Sequence, residues 1–226
     1  MELNQSDQKF IEAMSFQLSG DWKNAEKAFV GLTEKYPENH FLYFLLGTNC
    51  YSQGKLNTAI DHFRKSIYLK PDFGNAYYEL GVCQYRVGKL QHALESFTKV
   101  GELKNQSHAM ALYYVGLINF MLGQDAAASD AFARFREVSP ESRIANFYLG
   151  QLKLKRNEFA DALEPLNQLV EETPHFAEVQ YMLGVAHYGL HNNMEAIRHF
   201  RRALDINPND QRSKTRLALL TDTPWS

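Results

Sequence analysis

At 226 residues, 45% hydrophobic and 22% charged, the chain has the composition of an ordinary soluble protein. A formal net charge of -2, shared along the chain, gives no electrostatic footprint for nucleic acid, so nucleic acid is excluded as an expected partner. No apolar run is long enough to insert in a membrane, and MELNQSDQKF lacks the basic start and apolar core of a signal peptide; together with two cysteines that argue for no oxidising compartment, this predicts a cytoplasmic protein.

Residues 1–5 are polar and are expected to fray. From there helical patterns come in pairs. The first pair, 6–39, is atypical, with Glu12-Ala13 where later pairs carry Leu-Gly, but Trp22 and Phe29 tie it to the second pair. That second pair, 40–73, is the most legible. Tyr43, Leu46, Gly47 and Cys50 lie three and four apart on one helical face, and Gly54 interrupts the pattern where a turn belongs. Ala59, Phe63 and Ile67 then mark an antiparallel second helix that Pro71 closes. Gly47 and Ala59 are small where the two helices must approach closely.

The same pattern returns at 74–108, 109–142, 143–176 and 177–210. The Gly47 position reappears as Gly81, Gly116, Gly150 and Gly184, and the turn runs Gly20, Gly54, Gly88, Gly123, Asn157, His191. The small residue runs Ala25, Ala59, Ala93, Ala128, Ala162, Ala196, and the bulky one Phe29, Phe63, Phe97, Phe132, Leu166, Phe200. The stop runs Pro37, Pro71, Asn105, Pro140, Pro174, Pro208. One extra residue falls in the loop around 102–108. Pro165, inside a second helix, is expected to remove a hydrogen bond and bend it. Residues 211–220 repeat the start of a first helix, with Leu217-Ala218 in the Leu-Gly columns, and 221–226 is a short polar tail containing Trp225.

A helix–turn–helix period of 34 residues with these columns resembles the tetratricopeptide repeat family over residues 6–210. The resemblance implies an all-α fold: a right-handed superhelical solenoid of six repeats with 211–220 as a capping helix. Helices this short are marginal alone, so stacking must supply the stability.

No Gly-rich phosphate loop, nucleophile elbow or Cys-x-x-Cys is present, so neither catalysis nor a cofactor is expected. His187 and His191 lie four apart with His199 nearby, but no carboxylate completes a metal motif, and no metal site is expected. Cys50 and Cys83 read as buried thiols.

The informative surface is the other face of each first helix. Three residues before the Gly47 column stand Phe10, Phe44, Tyr78, Tyr113, Phe147 and Tyr181, all aromatic. Four and seven residues further on come Met14, Thr48, Val82, Leu117, Gln151, Val185 and then Gln17, Tyr51, Tyr85, Phe120, Leu154, Tyr188. In the family these columns line the concave side, where ligands bind. Two readings stand: rings packed between repeats, or a ligand face centred on Met110, Tyr113, Tyr114, Leu117, Phe120 and Met121. The candidate partner-binding residues are therefore Phe44, Tyr51, Tyr78, Tyr85, Met110, Tyr113, Leu117, Phe120, Phe147, Leu154, Tyr181 and Tyr188.

The groove lysines and arginines with which one branch of the family clamps chaperone C-termini are missing, and so is the asparagine ladder of another. The ladder column reads Ile11, Leu45, Glu79, Tyr114, Tyr148, Met182. What remains suits a protein partner presenting an apolar peptide or amphipathic helix. Glu79, Arg86 and Lys155 could orient it. Self-assembly into a homo-oligomer, and service in a secretion, pilus or envelope-assembly complex, stay open as alternatives. The basic run Arg198, Arg201, Arg202, Arg212, Lys214, Arg216 reads as a solvated face, because Glu195, Asp205 and Asp210 are interspersed.

Overall fold

The structure, a computed structural model, describes residues 7–103 and 108–221. Among these residues it contains thirteen α-helices and no strand. The chain divides into two compact units, Met1–Ile118 and Asn119–Ser226, with the boundary inside one helix. The first unit holds α1 (Gln8–Leu18), α2 (Trp22–Lys35), α3 (His40–Ser52), α4 (Leu56–Leu69), α5 (Gly74–Arg86), α6 (Leu90–Glu102) and the start of α7 (His108–Met121). The second holds the end of α7, then α8 (Asp125–Val138), α9 (Arg143–Lys155), α10 (Phe159–Glu172), α11 (Ala177–Gly189), α12 (Asn193–Ile206) and α13 (Gln211–Thr221). The loop carrying the extra residue lies mostly outside the described residues, as do Trp225 and residues 1–5. The architecture is an all-α helical repeat.

Each odd helix passes to the next even one through the same device. The Gly54 N–H donates to the Tyr51 carbonyl at 2.9 Å and the Lys55 N–H to that of Cys50 at 2.9 Å. That is a Schellman motif, which needs a left-handed residue at its centre. Gly20, Gly54, Gly88 and Gly123 supply it with φ between 71° and 78°. Asn157 and His191 adopt it too, at φ 60° and 59°. Asn enters that region at small cost, whereas the ring-bearing His191 has no such ease. His191→Gly is therefore expected to stabilise the protein by about 1 kcal/mol, read as a higher denaturant midpoint with an unchanged slope.

Within a pair, the bulky residue of the even helix lies over the glycine of the odd one. A Cβ built on Gly47 would stand 2.5 Å from the Phe63 ring, and one on Gly81 2.9 Å from Phe97. In the second unit the corresponding approaches are 2.5 Å for Gly150 to Leu166 and 2.5 Å for Gly184 to Phe200. Phe29, Phe63, Phe97, Phe132 and Phe200 are all fully buried, so the repeated column is the core. Between pairs, even helices pack on the next odd ones, α4 on α5 and α10 on α11. α10 runs on through Pro165, which is buried, to Glu172. α13 packs on α12 and buries Leu217 against Ala196 and Phe200.

Candidate functional site

In the first unit, the odd helices α3, α5 and the start of α7 present Phe44, Tyr51, Tyr78, Tyr85, Tyr113 and Leu117, each half-buried, and Met110, which is exposed. The repeat places them so because the residues flanking the glycine column turn away from the paired helix. Phe44, Tyr51, Tyr78 and Tyr85 pack against the buried core of this unit. Phe44 lies 5.8 Å from Phe63 and 5.2 Å from Phe73, centroid to centroid, and Tyr78 lies 5.8 Å from Phe97.

Tyr114 is the hub of this face. It stacks on Phe97 at 4.6 Å with ring planes 2° apart. It also meets Tyr85 at 5.4 Å, Tyr113 at 5.3 Å and Tyr78 at 6.4 Å. Burial, reinforced by Tyr114, Glu79 and Tyr51, pushes the Tyr78 phenol up to about 12. Burial raises Tyr114 as well, with Tyr51, Tyr85 and Glu79 adding to it. Glu79 itself is half-buried and shifted upward by burial alone. Its neighbour Cys83 is buried and its thiol is pushed up to about 12, chiefly by that burial; Cys50 is buried likewise. Arg86 lays its guanidinium 4.9 Å over the Tyr51 ring.

The second unit repeats the arrangement around Tyr148, which stands in the column of Tyr114. Phe120 meets Tyr148 edge-on at 5.2 Å, Tyr148 stacks on Phe132 at 4.6 Å, and Phe147 stacks on Phe176 at 5.8 Å. Leu154 and Tyr181 pack against the α10–α11 core. The last two candidate rings already carry cations from α13: Arg212 lies 4.3 Å over Tyr181 and Arg216 5.2 Å over Tyr188. Arg212 also pairs with Glu178 and, at 3.0 Å, with Asp210. Lys155 pairs with Asp125 at 2.6 Å, so its charge is already matched.

Of the three histidines, His191 is exposed at its turn, while His187 and His199 stack at 5.4 Å with planes 6° apart. His199 is buried, and its Nδ1 lies 2.8 Å from the Gln180 side-chain oxygen, which assigns the proton to Nδ1. Burial, with His187, Arg198 and Arg202 adding, pushes it down to about 4. Among the described residues, no group of three or more His, Cys, Asp or Glu side chains could hold a metal ion. Among them also, no helix is long and apolar enough to cross a membrane.

Sequence columns alone missed Tyr114 as a hub, although it stands in the ladder column, and they missed the α13 arginines over Tyr181 and Tyr188. A tyrosine in the ladder column, beside the all-aromatic column, was the available signal for the first; nothing in the spacing pointed to the second.

Comparison with known proteins places this geometry. A family model described as TPR repeat matches residues 47–88, and one described as Tetratricopeptide repeat matches 126–175 and 147–211. Protein O-mannosyl-transferase TMTC3 of Homo sapiens is 23% identical over 209 residues, 86% of this chain and 23% of that protein. The chain spans less than a third of the length of the curated relatives it matches, 23% and 29%. Among solved structures, YrrB, described as a TPR protein with an unusual peptide-binding site, superposes with a TM-score of 0.75 at 22% identity, over 84% of this chain and 97% of YrrB. MamA protein superposes with a TM-score of 0.68 at 26% identity, over 76% of this chain and 93% of MamA. Repeat columns, Schellman turns, glycine–aromatic packing and both matching models agree: the chain belongs to the tetratricopeptide repeat family.

Proposed function

We propose that this chain is a non-catalytic adaptor that binds a segment of another protein on the first unit's aromatic face. The segment is an amphipathic helix or an extended stretch with bulky side chains. The observation that carries this reading is the run of seven large side chains on α3, α5 and α7, from Phe44 to Leu117, none of them fully buried. Half-buried rings leave apolar area for a partner, and aromatics with methionine are what interface centres favour. Phe120, Phe147 and Leu154 supply similar chemistry in the second unit. A peptide-binding site is described for YrrB, a protein of the same fold.

Site-specific photocrosslinking in cells tests the reading. A photoreactive phenylalanine analogue at Tyr113 is expected to trap a defined protein adduct, and the same analogue at Arg64, exposed on α4, is expected to trap none. Equal labelling from both positions would overturn the proposal. An adduct of twice the chain's mass, with a concentration-dependent mass in light scattering, would identify the partner as a second copy.

A further inference from the structure

Among the described residues, the half-buried carboxylates follow a rule with one exception. Asp7, Glu26, Asp125, Glu158, Glu178, Glu195 and Asp210 each lie 3.8 Å or less from a Lys or Arg nitrogen. Asp21 instead caps α2 through the Asn24 N–H and amide. Glu79 has neither a cation nor a hydrogen-bond donor, although the chain carries 24 lysines and arginines. A partly desolvated charge without a partner is costly, so its persistence in the aromatic face calls for a reason.

The surroundings supply one. Glu79 follows Tyr78 on α5, the Tyr114 ring lies 6.4 Å from that of Tyr78, and ring faces attract cations. The molecule already uses that chemistry three times on these columns, Arg216 over Tyr188 among them. Arg86 covers Tyr51 in the first unit, and in the second Arg212 is held between the Tyr181 ring and the Glu178 carboxylate. Around Glu79 the ring and the carboxylate are both present and the cation is not. A purely apolar segment laid over this face would remove the remaining water from Glu79 and give it nothing in return.

We infer that Glu79 anchors an arginine or lysine side chain of the bound segment, with the cation on the carboxylate, the stem along Tyr78 and Tyr114, and the segment's bulky residues to either side. This rests on the reading that the face binds a protein segment, and it narrows that reading from any apolar segment to one with a basic residue among bulky ones.

The test is selection of a displayed library of random twelve-residue peptides against the full chain, followed by calorimetry on one enriched peptide. Enriched peptides are expected to share an Arg or Lys flanked by aromatic or aliphatic residues. Glu79→Gln is expected to weaken the chosen peptide about 10- to 100-fold, the loss typical of a charge-assisted contact. Replacing the peptide's cation by norleucine should cost the same factor, and the two changes together no more than either alone. Peptides that lose affinity with Tyr113→Ala but ignore Glu79→Gln would overturn this inference and leave the aromatic-face reading standing. Peptides indifferent to both variants, or no enrichment over an empty support, would overturn both. In the free protein Glu79→Gln should leave the melting temperature unchanged or raise it; a fall would assign Glu79 a structural role and overturn the inference.

Discussion

Gly47→Val is expected to destabilise the protein by about 3 kcal/mol, the upper range for overpacking a filled core. The added Cβ alone would stand 2.5 Å from a fully buried Phe63 ring, and the ring has no open side to move into. Gly184→Val should behave alike in the second unit, where Phe200 lies 2.5 Å from the built Cβ. Gly31→Ala is the control. Gly31 lies in α2 with nothing within 4 Å of its built Cβ, so the substitution should stabilise by about 0.5–1 kcal/mol through helix propensity. Denaturant titrations of the three variants check this. If Gly47→Val and Gly31→Ala shift the midpoint in the same direction, the glycine column is not a packing constraint.

The second large effect is a loss of stability in mild acid, between pH 6.5 and 4.5, carried chiefly by His199, with the depressed His40, His62 and His187 adding in the same sense. The native proton affinity of His199 lies near pH 4, against an ordinary value of 6.5. Above pH 6.5 the imidazole is neutral in both states and contributes nothing to pH dependence. Below it the unfolded chain takes up a proton that the native one refuses, so stability falls as pH falls. The loss by pH 4.5 is of order 2–3 kcal/mol. The groups around His199 agree in sign: His187, Arg198 and Arg202 oppose its protonation, and Glu195 favours it weakly. Asp7, Glu26 and Asp210 have depressed values, so their contributions are full above the ordinary carboxylate range and are lost as pH falls through it and below. Glu79 is raised, and its contribution changes the other way. His199→Gln, which keeps a donor for Gln180, should flatten the profile in this window. An equally steep profile in that variant would acquit His199.

The fold was legible because its constraints are local and repeated. A turn that needs φ > 0 announces itself as glycine, and even Asn157 and His191 were placed by the columns around them. The close approach of Gly47 to Phe63 was likewise readable as a small residue facing a large one. The face was legible only as a set of positions. Which of its rings have room beside them depends on how each pair is rotated against the next, and spacing along one helix does not encode that. Tyr114 became a hub because Phe97 lies flat beneath it, and Tyr181 is covered because α13 approaches at an angle that brings Arg212 over it. Glu79 was visible as a charge in the stripe, but its lack of a counterion is a property of every neighbour at once.

The seating of α13 has a further consequence for the second unit. Its two arginines are tethered within one short loop of α12, so against any segment brought to Tyr181 and Tyr188 they would compete at an effective concentration in the millimolar range. An incoming segment that offers those rings nothing better than another guanidinium is held off by a competitor that never diffuses away. The helix thus sets an affinity threshold at those rings, and loosening it by even one broken ion pair lowers the threshold without touching the rings themselves.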